Sequence, residues 1–162
     1  MGLFTIFLLY LPACATSQEG TPVGPGIIET KCCRVSLLYM PSNILVDLIF
    51  EQVQLILHIN YKKDKGLVNI ELYRDQEGVA EARLRVTGLK KKEVAFYLAR
   101  TNTIYLSLDD VTEGVLAHEM AHAVIHMSIF PLPPFRVREK MAQRVEQELN
   151  RNWEEWPGLY RW

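Results

Sequence analysis

His118, Glu119 and His122 form the pattern H-E-x-x-H, the part of the sequence best suited to chemistry. On a helix, side chains four residues apart lie on the same face. The two imidazoles can therefore reach one zinc ion, at about 2.0–2.1 Å each. Glu119 is placed to accept a proton from a zinc-activated water rather than to bind the metal. The apolar residues on both sides of the pattern favour a buried helix over a chance pair on a surface helix.

A catalytic zinc site needs a third protein ligand, and the segment that follows offers two glutamates. Glu139 and Glu146 are seven residues apart, so they lie on nearly the same helix face. We favour Glu139, which is closer to the proline-rich loop, and keep Glu146 as the alternative. His126 is excluded because it would lie about 12 Å from His118 along a straight helix.

These residues resemble the metal ligands of gluzincins, the zinc peptidases with two histidines and a distal glutamate. In that family the glutamate opens a pattern close to E-x-x-[AS]-D-x-F, and residues 139–145 (EKMAQRV) resemble it. The chain departs from the pattern at Gln143, where the family often has an aspartate that orients a histidine. The resemblance covers about residues 94–151. It implies a Zn²⁺ cofactor, a peptide or protein substrate and peptide-bond hydrolysis with Glu119 as the general base.

The resemblance also implies an edge strand that precedes the zinc helix and pairs with an extended substrate. Residues 102–107 occupy that place, with Tyr105 and Ser107 on one strand face as candidate substrate contacts. Tyr105 is in addition a candidate for stabilising the oxyanion. An ordinary strand within the sheet explains the same pattern equally well. Small members, the minigluzincins, can be latent with a C-terminal segment over the cleft.

Hydrophobic periodicity predicts the elements that would position these side chains. Strands are expected at 33–39, 68–73, 94–99 and 104–108, the last two as a hairpin, and helices at 42–59, 110–128 and 134–151. Asp110 and Glu113 have the spacing of a helix cap and a capping-box acid. Segment 76–87 alternates like a strand but has the composition of a helix, so both remain open. The expected buried side of the last helix comprises Phe135, Met141, Ala142, Val145 and Leu149.

Composition narrows the class of protein. The chain has 162 residues, 49% of them hydrophobic, and a formal net charge of −1. Its length fits one domain, and the near-zero charge gives no global signature of nucleic-acid binding. The three cysteines are too few for a disulfide scaffold. We therefore predict an α+β fold: a small zincin-like domain with a short mixed sheet packed on helices, in which the H-E-x-x-H helix is followed by a glutamate helix.

The N-terminus has the features of an export signal. Leu3–Leu11 is an apolar run too short to cross a bilayer, and an A-x-A cleavage pattern ends at Ala15. A lipobox-like interpretation makes Cys14 the site of a lipid anchor to the membrane. The predicted organisation is a signal peptide (1–15), a flexible linker (16–26), the metallopeptidase domain (27–151) and a Trp-rich tail (152–162).

These features predict an exported protein of the bacterial periplasm or cell envelope. The expected activity is that of a zinc metallopeptidase, in a narrow, latent or weak form because so short a chain leaves little for a separate substrate domain. The alternative is a non-catalytic zinc-binding envelope protein whose zincin site is structural or degenerate.

Overall fold

The structure of the chain, a computed structural model, describes residues 26–29, 33–37, 43–61 and 66–152. The predicted signal peptide, with Cys14, lies outside these residues, as do most of the predicted linker and the tail from residue 153 onward. Gly26, assigned to the linker, begins the first strand, and Asn152, assigned to the tail, ends the last helix.

The described residues form five strands and four helices. In order they are β1 (Gly26–Glu29), β2 (Cys33–Leu37), α1 (Asn43–Leu57), β3 (Val68–Tyr73), α2 (Gln76–Thr87), β4 (Ala95–Leu98), β5 (Thr103–Ser107), α3 (Glu113–Ser128) and α4 (Phe135–Asn152). One mixed sheet has the order β1-β2-β3-β5-β4. Strand β3 is parallel to β2 and β5, whereas the two outer pairs are antiparallel. The α+β class and the mixed sheet packed on helices are thus confirmed.

Helices cover both faces of the sheet. The main core joins inward-facing residues of β3 and β5, such as Ile70 and Leu106, to the apolar sides of α1, α3 and α4. A smaller cluster on the opposite face joins Tyr73, Phe96 and Tyr105 to α2. Alternate residues of a strand point to opposite faces, so β5 contributes to both clusters.

Helix α2 settles the open interpretation of segment 76–87. The side chain of Asp75 caps its start by accepting from Gly78 N at 2.9 Å. Gly88 ends it in the left-handed conformation (φ 77°), with its N–H donating to Leu84 O. Capping residues at both ends and good helix formers between them favour a helix, so the strand-like alternation of the sequence does not determine the structure here.

The predicted cap of α3 is wrong. Thr112, not Asp110, caps the helix, and its hydroxyl accepts from Val115 N at 3.3 Å. Asp110 instead accepts a hydrogen bond from Ser107 Oγ at 2.8 Å. The spacing of Asp110 and Glu113 suggested a capping box, but the turn after β5 places Asp110 back against the strand end.

The assignment of an edge strand to residues 102–107 is also wrong. Strand β5 is hydrogen-bonded to β3 on one side and to β4 on the other, so its backbone is not free to pair with a peptide. The edge of the sheet on this side is β4. Periodicity identified both strands of the hairpin, but it does not reveal their order in the sheet.

The buried side of α4 is partly as predicted. Ala142, Val145 and Leu149 are buried, and Met141 is partly buried. Phe135 is 66% exposed, because it lies at the start of the helix beyond the contact with the core. None of the described helices is long and apolar enough to cross a membrane.

Candidate metal centre

The site lies between α3 and α4, which run antiparallel against each other. His118 of α3 faces Glu146 of α4, and His122, one turn further along, faces Glu139. Near the start of α3 the helices approach closely at Gly114, where an added Cβ would lie 2.3 Å from Asn150 Oδ1. The buried apolar residues of α4 form a stripe that packs in the core with α3 and so fixes this pairing.

Three side chains converge with one donor atom each. The Nε2 atoms of His118 and His122 are 3.2 Å apart; His118 Nε2 lies 3.5 Å from Oε1 of Glu139, and His122 Nε2 lies 3.5 Å from its Oε2. Ligand atoms bound tetrahedrally to zinc at about 2.0–2.1 Å are about 3.3 Å apart. One ligand atom from each side chain lies within 4.8 Å of the others, so the cluster is close to the size that a zinc ion requires. Among the described residues, these three are the group of this composition close enough to hold a metal.

Glu146 meets the other nitrogen of His118. Its Oε2 lies 3.0 Å from Nδ1, on the side of the ring that faces away from Glu139. A carboxylate there accepts the Nδ1 proton and leaves Nε2 free to bind a metal. The structure thus separates the two glutamates that the sequence left as alternatives. Glu139 is the ligand candidate, and Glu146 orients a histidine, the role that Gln143 cannot fill from its exposed position.

Glu119 is partly buried and is held at the edge of the sheet. Burial raises the pKa of its carboxyl to about 8; a backbone hydrogen bond from Tyr97 opposes the rise, and the charges of Glu93, Glu139 and Glu146 add to it. Ser107 N donates to Val94 O, so in this antiparallel register the N–H of Tyr97 points away from β5. That outward N–H reaches the carboxylate.

The environment of His122 favours the form that binds metal. Burial, followed by the nearby His118, lowers the pKa of His122 to about 4, and the positive charge of Arg138 contributes in the same direction. A neutral imidazole offers a lone pair to a metal ion, whereas a protonated one does not. The residues present therefore fit a zinc ion in both geometry and protonation.

The predicted substrate strand does not reach this site. Tyr105 is 4% exposed and stacks on Phe96, with ring centroids 4.5 Å apart, on the face covered by α2. Ser107 is fully buried and donates to Asp110. Neither residue can contact a peptide or stabilise an oxyanion beside the three ligand candidates. His126 lies apart from them, with Nδ1 3.4 Å from the hydroxyl of Tyr97.

Two further residues belong to the site and escaped the sequence analysis. Tyr97 contributes through its backbone, which no side-chain pattern reveals. Arg138 directly precedes Glu139, and a charge next to a candidate ligand could have drawn attention to it.

The chain matches no protein-family model, and comparison with curated proteins and with solved structures finds no similar protein. What can be inferred about its function comes from the site itself.

Proposed function

We propose that this protein is a zinc-dependent peptidase whose metal is held by His118, His122 and Glu139. The observation that carries the proposal is the convergence of the Nε2 atoms of His118 and His122, 3.2 Å apart, on the carboxylate of Glu139, each of whose oxygens lies 3.5 Å from one of the two nitrogens. Structural zinc sites have four protein ligands, whereas catalytic ones have three and keep a position open. The described residues supply three, which favours catalysis over the alternative of a purely structural zinc-binding protein.

Each residue of the site has a distinct role in the proposal. Zinc, when bound, would lower the pKa of water and polarise the substrate carbonyl. Glu119 accepts a proton during attack on the peptide bond and returns it to the leaving amine. Glu146 holds the ring of His118 in one tautomer. Tyr97 N–H keeps the carboxylate of Glu119 in place, so that it need not reorganise during the reaction.

The decisive experiment compares the full chain with its Glu119→Gln variant. We expect both proteins to bind one equivalent of zinc, and we expect the variant to cleave a peptide library about 10²–10⁴-fold more slowly. Zinc content is measured by elemental analysis and cleavage by mass spectrometry. Glu113→Gln, in the first turn of the same helix, is the matched control and should behave like the wild type.

Two outcomes would count against the proposal. A wild-type protein that binds no zinc would remove the metal site altogether. Zinc bound stoichiometrically by both proteins, with no cleavage by either, would favour the non-catalytic zinc-binding protein instead.

A further inference from the structure

Arg138 is a charged side chain beside the candidate metal centre that has no anionic partner among the residues that the structure describes. It stands one residue before Glu139 and continues the stripe of α4 that packs on α3, four residues before Ala142. Its Nε is buried and has no hydrogen-bond partner. Its guanidinium stacks on Phe135, with the guanidinium carbon 5.8 Å from the ring centroid.

Two other arginines have carboxylate partners, although the Nε of Arg83, like that of Arg138, has no hydrogen-bond partner among the described residues. Arg144, two turns further along α4, forms an ion pair with Glu148 at 2.6 Å. Arg83 pairs with Glu93 on the far side of the sheet. Glu139, the acid adjacent to Arg138, is directed instead at the two histidines. In the described part of the chain, the carboxylates of Glu139, Glu148 and Glu93 therefore contact side chains other than Arg138.

A buried N–H of a charged group without a partner costs free energy, so it calls for an explanation. The planar guanidinium presents its donors in a fork that matches a carboxylate, and stacking on an aromatic ring fixes the plane of that fork. The ring of Phe135 is itself 66% exposed, so this arrangement lies at the surface, where a ligand can enter.

We propose that Arg138 binds a carboxylate group of the substrate next to the His118–His122–Glu139 cluster. The inference rests on the proposed peptidase function for the identity of the substrate, an acidic peptide. The carboxylate can come from an aspartate or glutamate side chain or from the C-terminus of the peptide. Arg138 is thereby a residue that determines specificity, not one that takes part in the chemical step.

The first test measures binding without catalysis. The zinc-loaded full chain is titrated with acetyl-glutamate amide, which carries a side-chain carboxylate, and with acetyl-alanine, which carries a terminal one. Acetyl-alanine amide is the neutral probe. We expect the ¹⁵N–¹H resonance of Arg138 Nε to shift saturably with one or both acids and not with the neutral amide.

Variants separate Arg138 from direct binding of the probe to zinc. Arg138→Gln should weaken binding of the acidic probe about 10–100-fold, the loss expected for a charge-assisted hydrogen bond. Arg138→Lys should be intermediate, because it keeps the charge but loses the fork. Arg136→Gln, an exposed position in the same helical turn, is the control and should bind like the wild type. Zinc content and helical circular dichroism verify that each variant is folded.

The second test uses cleavage. Peptides with Asp or Glu near the scissile bond, their Asn or Gln counterparts, and matched C-terminal acids and amides are compared. The preference of the wild type for one acidic series, measured as the ratio of acidic to neutral peptide cleavage within each protein, should disappear in Arg138→Gln.

The outcomes distinguish this inference from the function on which it rests. Equal binding of the acidic probe by wild type and Arg138→Gln, or an unchanged preference for acidic peptides, would overturn the role of Arg138 and leave the peptidase intact. Loss of probe binding in Arg138→Gln without cleavage by any protein would support the anion site and refute the peptidase.

Discussion

The two carboxylates of α4 differ in role because they meet different atoms of the same imidazole. Glu139 lies 3.5 Å from Nε2 of His118, and Glu146 lies 3.0 Å from its Nδ1. One oxygen can therefore bind a metal directly, while the other acts on the metal only through the ring. The distinction decides how much each residue contributes to affinity.

Substitution of Glu139 should lower the zinc affinity more than substitution of Glu146. Glu146→Gln should weaken binding about 10–100-fold, the usual effect of losing a carboxylate that orients a histidine ligand. Glu139→Ala should weaken it further, because a ligand is removed. Competition with a chromogenic chelator measures both, and Glu148→Gln on the same helix is the control. A larger loss in Glu146→Gln than in Glu139→Ala would reverse the two assignments.

The pH dependence of stability tests the surroundings of Glu119 in protein stripped of metal by a chelator. The folded pKa of about 8 lies above the ordinary value of 4.5, so the folded state holds a proton that the unfolded state loses. The free energy of unfolding therefore falls as pH rises from about 4.5 to 8. His122 has the opposite effect, but only below its ordinary value of 6.5, because its folded pKa is about 4.

Between pH 6.5 and 8 the contribution of Glu119 to the pH dependence of stability is therefore the difference between the slopes of the wild type and of Glu119→Gln. The free energy of unfolding of the metal-free wild type should fall with pH more steeply than that of Glu119→Gln, which has no carboxyl to ionise. Urea unfolding at both ends of this range measures the two slopes, and groups common to both proteins cancel. Parallel slopes would mean that the carboxylate is well solvated.

At this scale the sequence predicts ligands better than their supports. The spacing of His118 and His122 on a helix is enough to bring their rings together, and the structure does so. Which nitrogen of His118 faces Glu146 depends on how two helices cross, and neither helix contains that information alone. The contribution of Tyr97 is a backbone N–H, for which the identity of the side chain gives no signal.

At the scale of elements, the site depends on the separation of α3 and α4. Ala142 is fully buried between Glu139 and Glu146 on α4 and belongs to the same core cluster as the inner side of α3. Its small side chain allows the carboxylates to reach the histidines. The sequence marked Ala142 as buried, and the structure confirms that it lies in the main core.

Ala142→Leu should therefore affect zinc binding and stability together. Overpacking at a buried position costs about 1–3 kcal/mol, and the displaced helix should withdraw both carboxylates and weaken zinc binding. Calorimetry and thermal unfolding measure the two effects. Gln147→Leu adds a leucine at an exposed position of the same helix and should change neither. Normal zinc affinity in a destabilised Ala142→Leu would show that the helix spacing does not control the site.

The limits of prediction at this scale also have a physical origin. Strands and helices were located from periodicity because burial repeats every two or 3.6 residues. The order of β5 and β4 in the sheet could not be predicted in this way, because hydrogen bonding between strands does not change the hydrophobic pattern of either strand. The cap of α3 was likewise placed at Asp110 rather than Thr112, because the sequence does not reveal the path of the turn after Ser107.

At the scale of the whole molecule, a zinc ion would join the last two helices to each other and, through α3, to the main core. Helix α3 packs against α1, α4 and β4, so restraint of α3 acts on the whole fold. A ligand that binds only the folded state stabilises it by about 2.7 kcal/mol at a concentration 100 times its Kd.

Thermal unfolding should therefore depend on zinc. At 100 times the Kd we expect the Tm of the full chain to rise by about 5–10 °C over that of the chelator-treated protein. Scanning calorimetry with and without zinc provides the measurement. Glu139→Ala is the control and should show little shift at the same zinc concentration. A rise of equal size in Glu139→Ala would place the stabilising metal elsewhere.

The outward N–H of Tyr97 has a consequence for the solubility of variants that lack the side chain of Glu119. An unpaired strand edge is a template on which another chain can add a strand, and proteins commonly block such edges, for example by covering them with a helix. Glu119 occupies this position on β4, at the boundary of the sheet. The residue proposed to transfer protons is therefore also the one that blocks an edge of the sheet. Removing its side chain would leave the N–H of Tyr97 free to pair with another chain.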